Sequence, residues 1–321
     1  MKLNRFAKYA WLVVAVNLFV IVWGAYVRAS GSGAGCGEHW PLCNGEVVPR
    51  AAGVQTVIEF THRVTSGVAL LMVVGLVVWS FRAYPKRHAV RRGASLALVF
   101  MLTEALIGAG LVLFALVADN ASVARALFMS VHLVNTFLLL AAMSLTAWWA
   151  TGGLTLKLRG QGRLNLIFAL GLLGTLVVAV SGAVAALGDT LFPASSLGEG
   201  FRQDFSPTAH FLLRLRLLHP VLAVGVGIYA VAAASYVSNF LRPALWTKKL
   251  VNVLTTLFLL QLGAGILNVY LLAPVWLQLT HLLLADLFWI ALVLTSTSAL
   301  SASEAAAETL EPVKLHATAE T

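Results

Sequence analysis

Four histidines, His62, His132, His219 and His281, stand inside strongly apolar segments. A buried imidazole is costly without a partner, and ionisable residues within membrane spans commonly mark function. All four fall within about two helical turns of the same end of their segments, two in each half of the sequence. One such residue could merely hydrogen-bond a neighbouring helix; four at one depth form a pattern. Two facing helices of a bundle can each give one imidazole to a haem iron between them. On that reading His62 pairs with His132 and His219 with His281, making two bis-histidine or half-open iron sites. A proton relay or a non-haem metal would draw on the same residues.

Glu59 lies three residues before His62, on roughly the same helix face and one turn nearer the segment end. A carboxylate there can move a proton beside a bound group, pair with Arg63, or hydrogen-bond a ligating histidine. At the matching place in the second half Arg216 precedes His219. This asymmetry suggests chemistry in the first half and a permanent cofactor in the second. Glu104, midway along the third segment, and Asp286, about 140° round the helix from His281, are expected to point away from their neighbouring histidines. Haem propionates need cations or polar donors at the membrane edge. Arg28, Arg63, Arg125, Arg214 and Arg216 are candidates for that contact, or for snorkelling to lipid headgroups. His88 and His316 read as solvated side chains, with His39 and His210 set aside on the same side as the quartet.

Cys36 and Cys43 enclose a short loop in which Gly37 and Pro41 favour a turn that closes a small ring. Outside the membrane a disulfide persists, whereas Cys36, Cys43 and His39 lack a fourth ligand for zinc. The expectation is a Cys36–Cys43 disulfide, structural or redox-active. The nearby Gly31, Gly33, Gly35 and Gly37 do not make a nucleotide loop, because no strand precedes them.

The elements that position these residues follow from composition. The 321 residues are 60% hydrophobic and 11% charged, with a mean hydropathy of +0.87; soluble domains carry about 25% charged residues. The chain therefore reads as a lipid-embedded polytopic membrane protein, and nucleic-acid binding is excluded. Eight apolar segments run approximately over 9–29, 57–80, 94–117, 124–149, 164–187, 211–236, 249–271 and 276–299. Each must be helical, because no water in the hydrocarbon satisfies an open backbone. The first ends in small residues (Ala29, Ser30, Gly31) like a secretory signal, but its apolar stretch is long for one and reads as a retained span.

Positive charge sets the orientation. One set of loops and ends holds 15 of the 22 Lys and Arg, from Lys2, Arg5 and Lys8 through the cluster Arg82–Arg92 to Lys314. This predicts a plasma-membrane protein with both termini cytoplasmic, loops 30–56 and 188–210 outside, and the histidines near the extracytoplasmic side. The stretch 301–321, with Glu304, Glu308, Glu311 and Glu320, reads as a cytoplasmic tail, frayed or disordered.

The two halves resemble each other. Gly24-Ala25 recurs as Gly182-Ala183, Gly108-Ala109-Gly110 as Gly263-Ala264-Gly265, His62 as His219 and His132 as His281, at offsets of 158, 155, 157 and 149 residues. Four spans per half give both halves the same polarity, a parallel repeat. The expected fold is all-α, with eight transmembrane helices as two tandem four-helix bundles: residues 1–150 as the catalytic half and 151–300 as the resident-cofactor half.

Together, Glu59-Phe60-Thr61-His62-Arg63, the loop Gly35-Cys36-Gly37-Glu38-His39-Trp40-Pro41-Leu42-Cys43 and the duplicated histidines resemble haem A synthase, the membrane enzyme family that finishes the haem of aa3-type cytochrome oxidases. The likeness covers about residues 5–300. It implies an oxidoreductase that converts the C8 methyl of haem O to a formyl group through two hydroxylations, giving haem A for cytochrome c oxidase. It also implies Glu59 as the essential acid, His62 and His132 as axial residues for the substrate haem O, and His219 and His281 as axial ligands of a resident haem b. Haem O synthase is then a pathway neighbour, the electron donor or acceptor is unassigned, and self-association into a homo-oligomer is compatible. One departure matters: relatives often carry a second cysteine pair in the matching loop of the second half, and segment 188–210 has none. A di-haem b-type electron carrier is the main alternative; a haem transporter fits less well, because the histidines cluster at one end only.

Overall fold

The computed structural model describes residues 3–50 and 52–301, so Lys2, Lys314, His316 and the expected 301–321 tail beyond Ser301 lie outside the described residues. Eight helical segments are long and apolar enough to cross a membrane, and the chain is a multi-pass membrane protein. In order they are α1 (Arg5–Ala29), α2 (Val54–Ala83), α3 (Ala89–Leu113), α4 (Val123–Ala150) and α5 (Arg163–Leu191), then the sixth span Phe211–Leu241, α9 (Leu245–Tyr270) and α10 (Val275–Ser301). Side-chain caps start several of them by satisfying free backbone N–H groups. Asn4 accepts from the Ala7 amide, His88 from Val90 and Ser122 from Arg125. His88 is thus a helix cap, and His210 caps the sixth span in the same way through the Leu212 amide.

The second half departs from the sequence expectation in two places. Segment 188–210 is not all loop: α5 runs on to Leu191, and a short helix, α6 (Leu197–Phe205), follows it, capped by Ser196. The sixth span is also interrupted, into α7 (Phe211–Arg216) and α8 (Leu218–Tyr236), and it ends in a π-helical turn over Val237–Leu241. Pro220 has no N–H for the Arg216 carbonyl, so the hydrogen-bond ladder fails there. His219 stands in the first turn of α8, immediately beside that break.

Helices α1 to α4 close a ring in which α1 packs on α2 and α4, and α3 packs on the same two. Helices α5, α8, α9 and α10 close a second ring in the same order. Consequently α2 and α4 are diagonal partners in one bundle, as α8 and α10 are in the other. Lipid is as apolar as leucine, so helix association rests on close packing and hydrogen bonds. Ala7, Ala10, Ala94, Ala97 and Ala147, all fully buried, let the backbones of the first bundle approach.

The bundles meet where α4 packs on α5 and through α10, whose Trp289, Ile290, Val293 and Leu294 belong to the core of the first bundle. Trp289 stacks on Phe137 with ring centres 5.2 Å apart, and its indole N–H donates to the Phe137 carbonyl at 2.6 Å. At the histidine-bearing end Arg28 of α1 makes a second tie. It donates to the Ala186 carbonyl at 2.8 Å, to the Thr190 hydroxyl, and to Gln278 Oε1 of α10 at 3.0 Å.

Hydrogen bonds from a charged donor each contribute about 1.5–3 kcal/mol. Replacing Arg28 by Leu is therefore expected to lower the melting temperature of the detergent-solubilised protein by several degrees. An unchanged melting temperature would mean that apolar contacts alone hold the bundles together.

Candidate functional site

Each of the four histidines rests its ring against a glycine on an adjacent helix. A Cβ placed on Gly24 of α1 would lie 2.8 Å from His62 Cε1, and one on Gly182 of α5 would lie 2.9 Å from His219 Cε1. On the other pair, Gly108 of α3 and Gly265 of α9 face Cε1 of His132 and His281 at 3.8 and 3.2 Å. At Gly24, Gly182 and Gly265 the ring takes the volume a side chain would fill, whereas a Cβ at Gly108 would make an ordinary contact with the ring. This corrects the repeat register in one place: Gly265, not Gly263, stands opposite the histidine, and a Cβ on Gly263 would meet nothing within 4 Å. The offset from Gly108 to its true counterpart is then 157 residues, the same as from His62 to His219.

In the second bundle His219 and His281 face each other across the diagonal, with ring centres 6.4 Å apart and planes at 84°. Ser181 Oγ sits 3.0 Å from His219 Nδ1, which leaves the other nitrogen of that ring for another partner. The amide of Gln261 on α9 reaches His281 Nε2 at 3.2 Å. In the first bundle His62 and His132 occupy the corresponding diagonal positions, within Coulombic reach of each other.

The expectation that Glu104 turns away from the histidines is wrong. Its Oε1 lies 3.5 Å from His132 Nδ1 across the α3–α4 interface. The angle read along a single helix missed this, since the histidine concerned is on a different helix. Thr136 donates its hydroxyl to Glu104 Oε1, and Asn135 donates its amide to Oε2. Asn135 in turn accepts from the Thr103 hydroxyl at 2.6 Å. Asp286 is fully buried, with no hydrogen-bond partner on either oxygen, and lies within Coulombic reach of Glu104. It precedes Trp289 and Ile290 by about one turn, on the side of α10 that meets the first bundle.

Glu59 is buried, and its carboxylate is anchored on both sides. Oε1 accepts from Arg63 Nε at 3.1 Å and from its Nη2, while Oε2 accepts the Cys36 amide at 2.8 Å. Cys36 and Cys43 are joined by a disulfide, and the loop they close contains a cis Trp40–Pro41 bond and a left-handed Gly37 at φ 63°. Arg63 Nη1 donates to the His39 and Leu42 carbonyls, both at 2.6 Å, so one guanidinium clamps the disulfide loop to α2.

The other arginines are engaged by the protein as well. Arg28 bridges α1, α5 and α10 as described, and the exposed Arg214 donates to the Pro207 carbonyl. Arg216 pairs with Asp189 at 2.7 Å and with Asp204. Arg125 is buried and donates to the Ala118 and Asn120 carbonyls, yet its Nε has no partner.

Two imidazoles that face each other across a bundle are able to hold a metal axially. A metal ion held at about 2 Å by one nitrogen of each ring sets the ring centres roughly 6 Å apart, which matches the second pair. Nδ1 of His62, His132 and His281 is buried without a hydrogen-bond partner. Among the described residues no group of three or more His, Cys, Asp or Glu converges on one point. Paired imidazoles therefore suit an iron whose remaining ligands come from a macrocycle.

Comparison with known proteins agrees with this chemistry. Residues 7–293 match the model of the COX15-CtaA family, described as cytochrome oxidase assembly protein. Two proteins from different strains of Thermus thermophilus, both named protoheme IX farnesyltransferase, are 56% identical over 297 residues, 92% of this chain. The chain spans about half of their length, 49%. Proteins named heme A synthase from Exiguobacterium and from Bacillus mycoides are 39% and 40% identical over 111 and 113 residues, covering 35% of this chain and 37% and 36% of theirs. With nearly its whole length matched by one family model, this chain belongs to the COX15-CtaA family of cytochrome oxidase assembly proteins, the haem A synthase family.

Proposed function

We propose that this chain is a haem A synthase: it oxidises the C8 methyl group of haem O to a formyl group and so makes haem A for cytochrome c oxidase. The observation that carries the reading is the duplicated histidine pair on diagonal helices, every ring accommodated by a glycine, in a chain of this family. His219 and His281 would hold a resident haem b, and His62 and His132 would receive haem O. When bound, the resident haem supplies one-electron transfer. Conversion of a methyl to a formyl group takes four electrons from the substrate, so the reaction needs an external oxidant to receive them; it passes through two hydroxylation stages, with the geminal diol losing water.

Glu59 is the proton acceptor beside the substrate position. A carboxylate has about four acceptor sites; Arg63 uses two on Oε1 and the Cys36 amide uses one on Oε2, leaving a lone pair on Oε2 for a proton. The same contacts also fit a purely structural Glu59, and they keep the di-haem electron carrier as the second reading. In either case the reading places both termini and the loop 151–162 on the cytoplasmic side and the disulfide loop on the extracytoplasmic side, an orientation that the distribution of positive charge supports.

The Thermus relatives' name describes farnesylation of protohaem, the reaction that supplies haem O. Prenyl transfer from a diphosphate calls for carboxylates gathered round Mg²⁺. Here Asp189 and Asp204 are both paired with Arg216, Asp286 is buried with only Glu104 in Coulombic reach, and Asp119 lies between α3 and α4. That distribution favours oxidation of the farnesylated haem over its synthesis.

Co-expression with the farnesyltransferase that makes haem O, followed by pyridine haemochrome analysis, tests the reading. Accumulation of haem A or its hydroxylated precursor is expected; haem O left unmodified would leave the electron carrier standing. Glu59→Gln keeps an acceptor for Arg63 and is expected to preserve the haem b spectrum while product formation falls at least a hundredfold, on the scale of a lost general base. Wild-type activity in that variant would take Glu59 off the catalytic list. Gly182→Ala, which drives a methyl into the His219 ring, is expected to reduce retained haem b. Gly225→Ala, which enters open space, is the matched control and is expected to be neutral.

A further inference from the structure

The register set by the glycine cradles aligns the two bundles residue by residue around one histidine of each pair. Gly108 and Gly265 correspond, so Glu104 and Gln261, each one turn earlier on α3 and α9, occupy the same place. Both touch the histidine of the facing helix: Glu104 lies 3.5 Å from His132 Nδ1, and Gln261 lies 3.2 Å from His281 Nε2. The repeat has kept the position beside the ring and changed the group: a carboxylate faces Nδ1 in the first bundle, whereas an amide nitrogen faces Nε2 in the second and leaves Nδ1 of His281 without a partner.

The surroundings differ in the same sense. Glu104 is held by Thr136 and Asn135, and Asn135 is linked to Thr103. The equivalents of these three residues, counted by the same offsets, are Ala285, Leu284 and Leu260. In the first bundle a carboxylate is fastened beside the ring by a set of hydroxyl and amide donors. In the second an amide stands with its oxygen unpaired among apolar side chains.

We propose that Glu104 is a positioning residue for the first iron site: its carboxylate, 3.5 Å from the unpartnered Nδ1 of His132, closes to accept the Nδ1–H when the other ring nitrogen is ligated, and so makes that imidazole a more strongly donating axial ligand than its counterpart in the second bundle. A hydrogen bond from the free ring nitrogen to a carboxylate fixes the tautomer and raises the basicity of the ligating nitrogen, and such bonding shifts an iron's reduction potential. The carboxylate lowers the potential of the first site relative to what an amide there would set. The two bundles thereby hold like groups at unlike potentials with like histidines. Thr136 moderates the effect, because its hydroxyl competes for the same oxygen, Oε1.

This rests on the reading that the histidine pairs hold haem, and the test separates the two. Wild-type protein purified from haem-replete cells without any haem defeats that reading before a variant is made. With haem present, potentiometric titration of the holoprotein follows the two sites separately, the first identified by its loss in His132→Ala. Glu104→Gln is expected to raise the midpoint potential of the first site and to weaken retention of its haem about ten- to a hundredfold. Thr136→Val leaves the carboxylate, frees Oε1, and is expected to move the same potential down. The second site is expected to stay unchanged in both variants, which also reports that the protein has assembled. Shifts of opposite sign are what a merely structural role would not produce. Unmoved potentials, or shifts in the same direction, would overturn the proposal. If Glu104→Gln loses the first haem altogether, Thr136→Val decides alone, and an unchanged or raised potential there overturns it.

Discussion

An imidazole in the apolar interior of a helix bundle needs both room and a partner, and that double requirement organises this molecule. Room comes from Gly24, Gly182 and Gly265, whose missing side chains are replaced by the histidine rings of the next helix, and the ring of His132 rests in the same way beside Gly108. Because ring and glycine lie on adjacent helices, each contact fixes a helix pair in register and depth. Two such contacts, repeated once by duplication, place all the rings at one end of the two bundles. Partners are supplied only in part: Ser181 serves His219 and Gln261 serves His281, while three of the four Nδ1 atoms are buried without a hydrogen bond. Donors left in that state are what an axially ligated cofactor leaves to be tuned by its surroundings.

The second organising feature is the inequality of the halves. Glu59 is tied to the disulfide loop by Arg63 and by the Cys36 amide, so the position of an acid beside His62 depends on a loop that has no cysteine counterpart in the second half. The matching region of the second half is built on an ion-paired Arg216, with Asp189 and Asp204 as its partners, and on the short helix α6. One fold thus carries an acid-bearing site with a polar enclosure and a second site stripped of most of that polarity. The proposed division into a reacting half and an electron-handling half follows that inequality.

Much of this was legible in the sequence because the physics involved is coarse. A bilayer demands about 20 apolar residues per helix, so the eight spans and their all-helical character follow from hydropathy alone. The duplication showed in the Gly-Ala steps and in the histidine offsets, and the short Cys36–Cys43 spacing announced its disulfide. What failed depends on contacts between helices. Glu104 was judged from its angle on its own helix, whereas its relation to His132 is set by the packing of α3 on α4. The register of Gly265 turned on which of two nearby glycines meets a ring, a choice that a two-residue ambiguity in offset could not make. The break before His219 was foreshadowed by Pro220, and α6 by the Ser196 and Glu199 spacing of a helix start. A repeat alignment at an offset of 157 would have put Glu104 opposite Gln261 and drawn attention to both.

The central claim is that each bundle grips an iron porphyrin between diagonal imidazoles, and the absorption spectrum with haem quantification of the purified wild-type protein measures it directly. With haem supply ample, the account predicts a Soret band with low-spin bis-histidine features from the second bundle, and tightly bound haem that His219→Ala and His281→Ala each diminish. A colourless protein under the same conditions, or haem whose amount and spectrum ignore both substitutions, would contradict it.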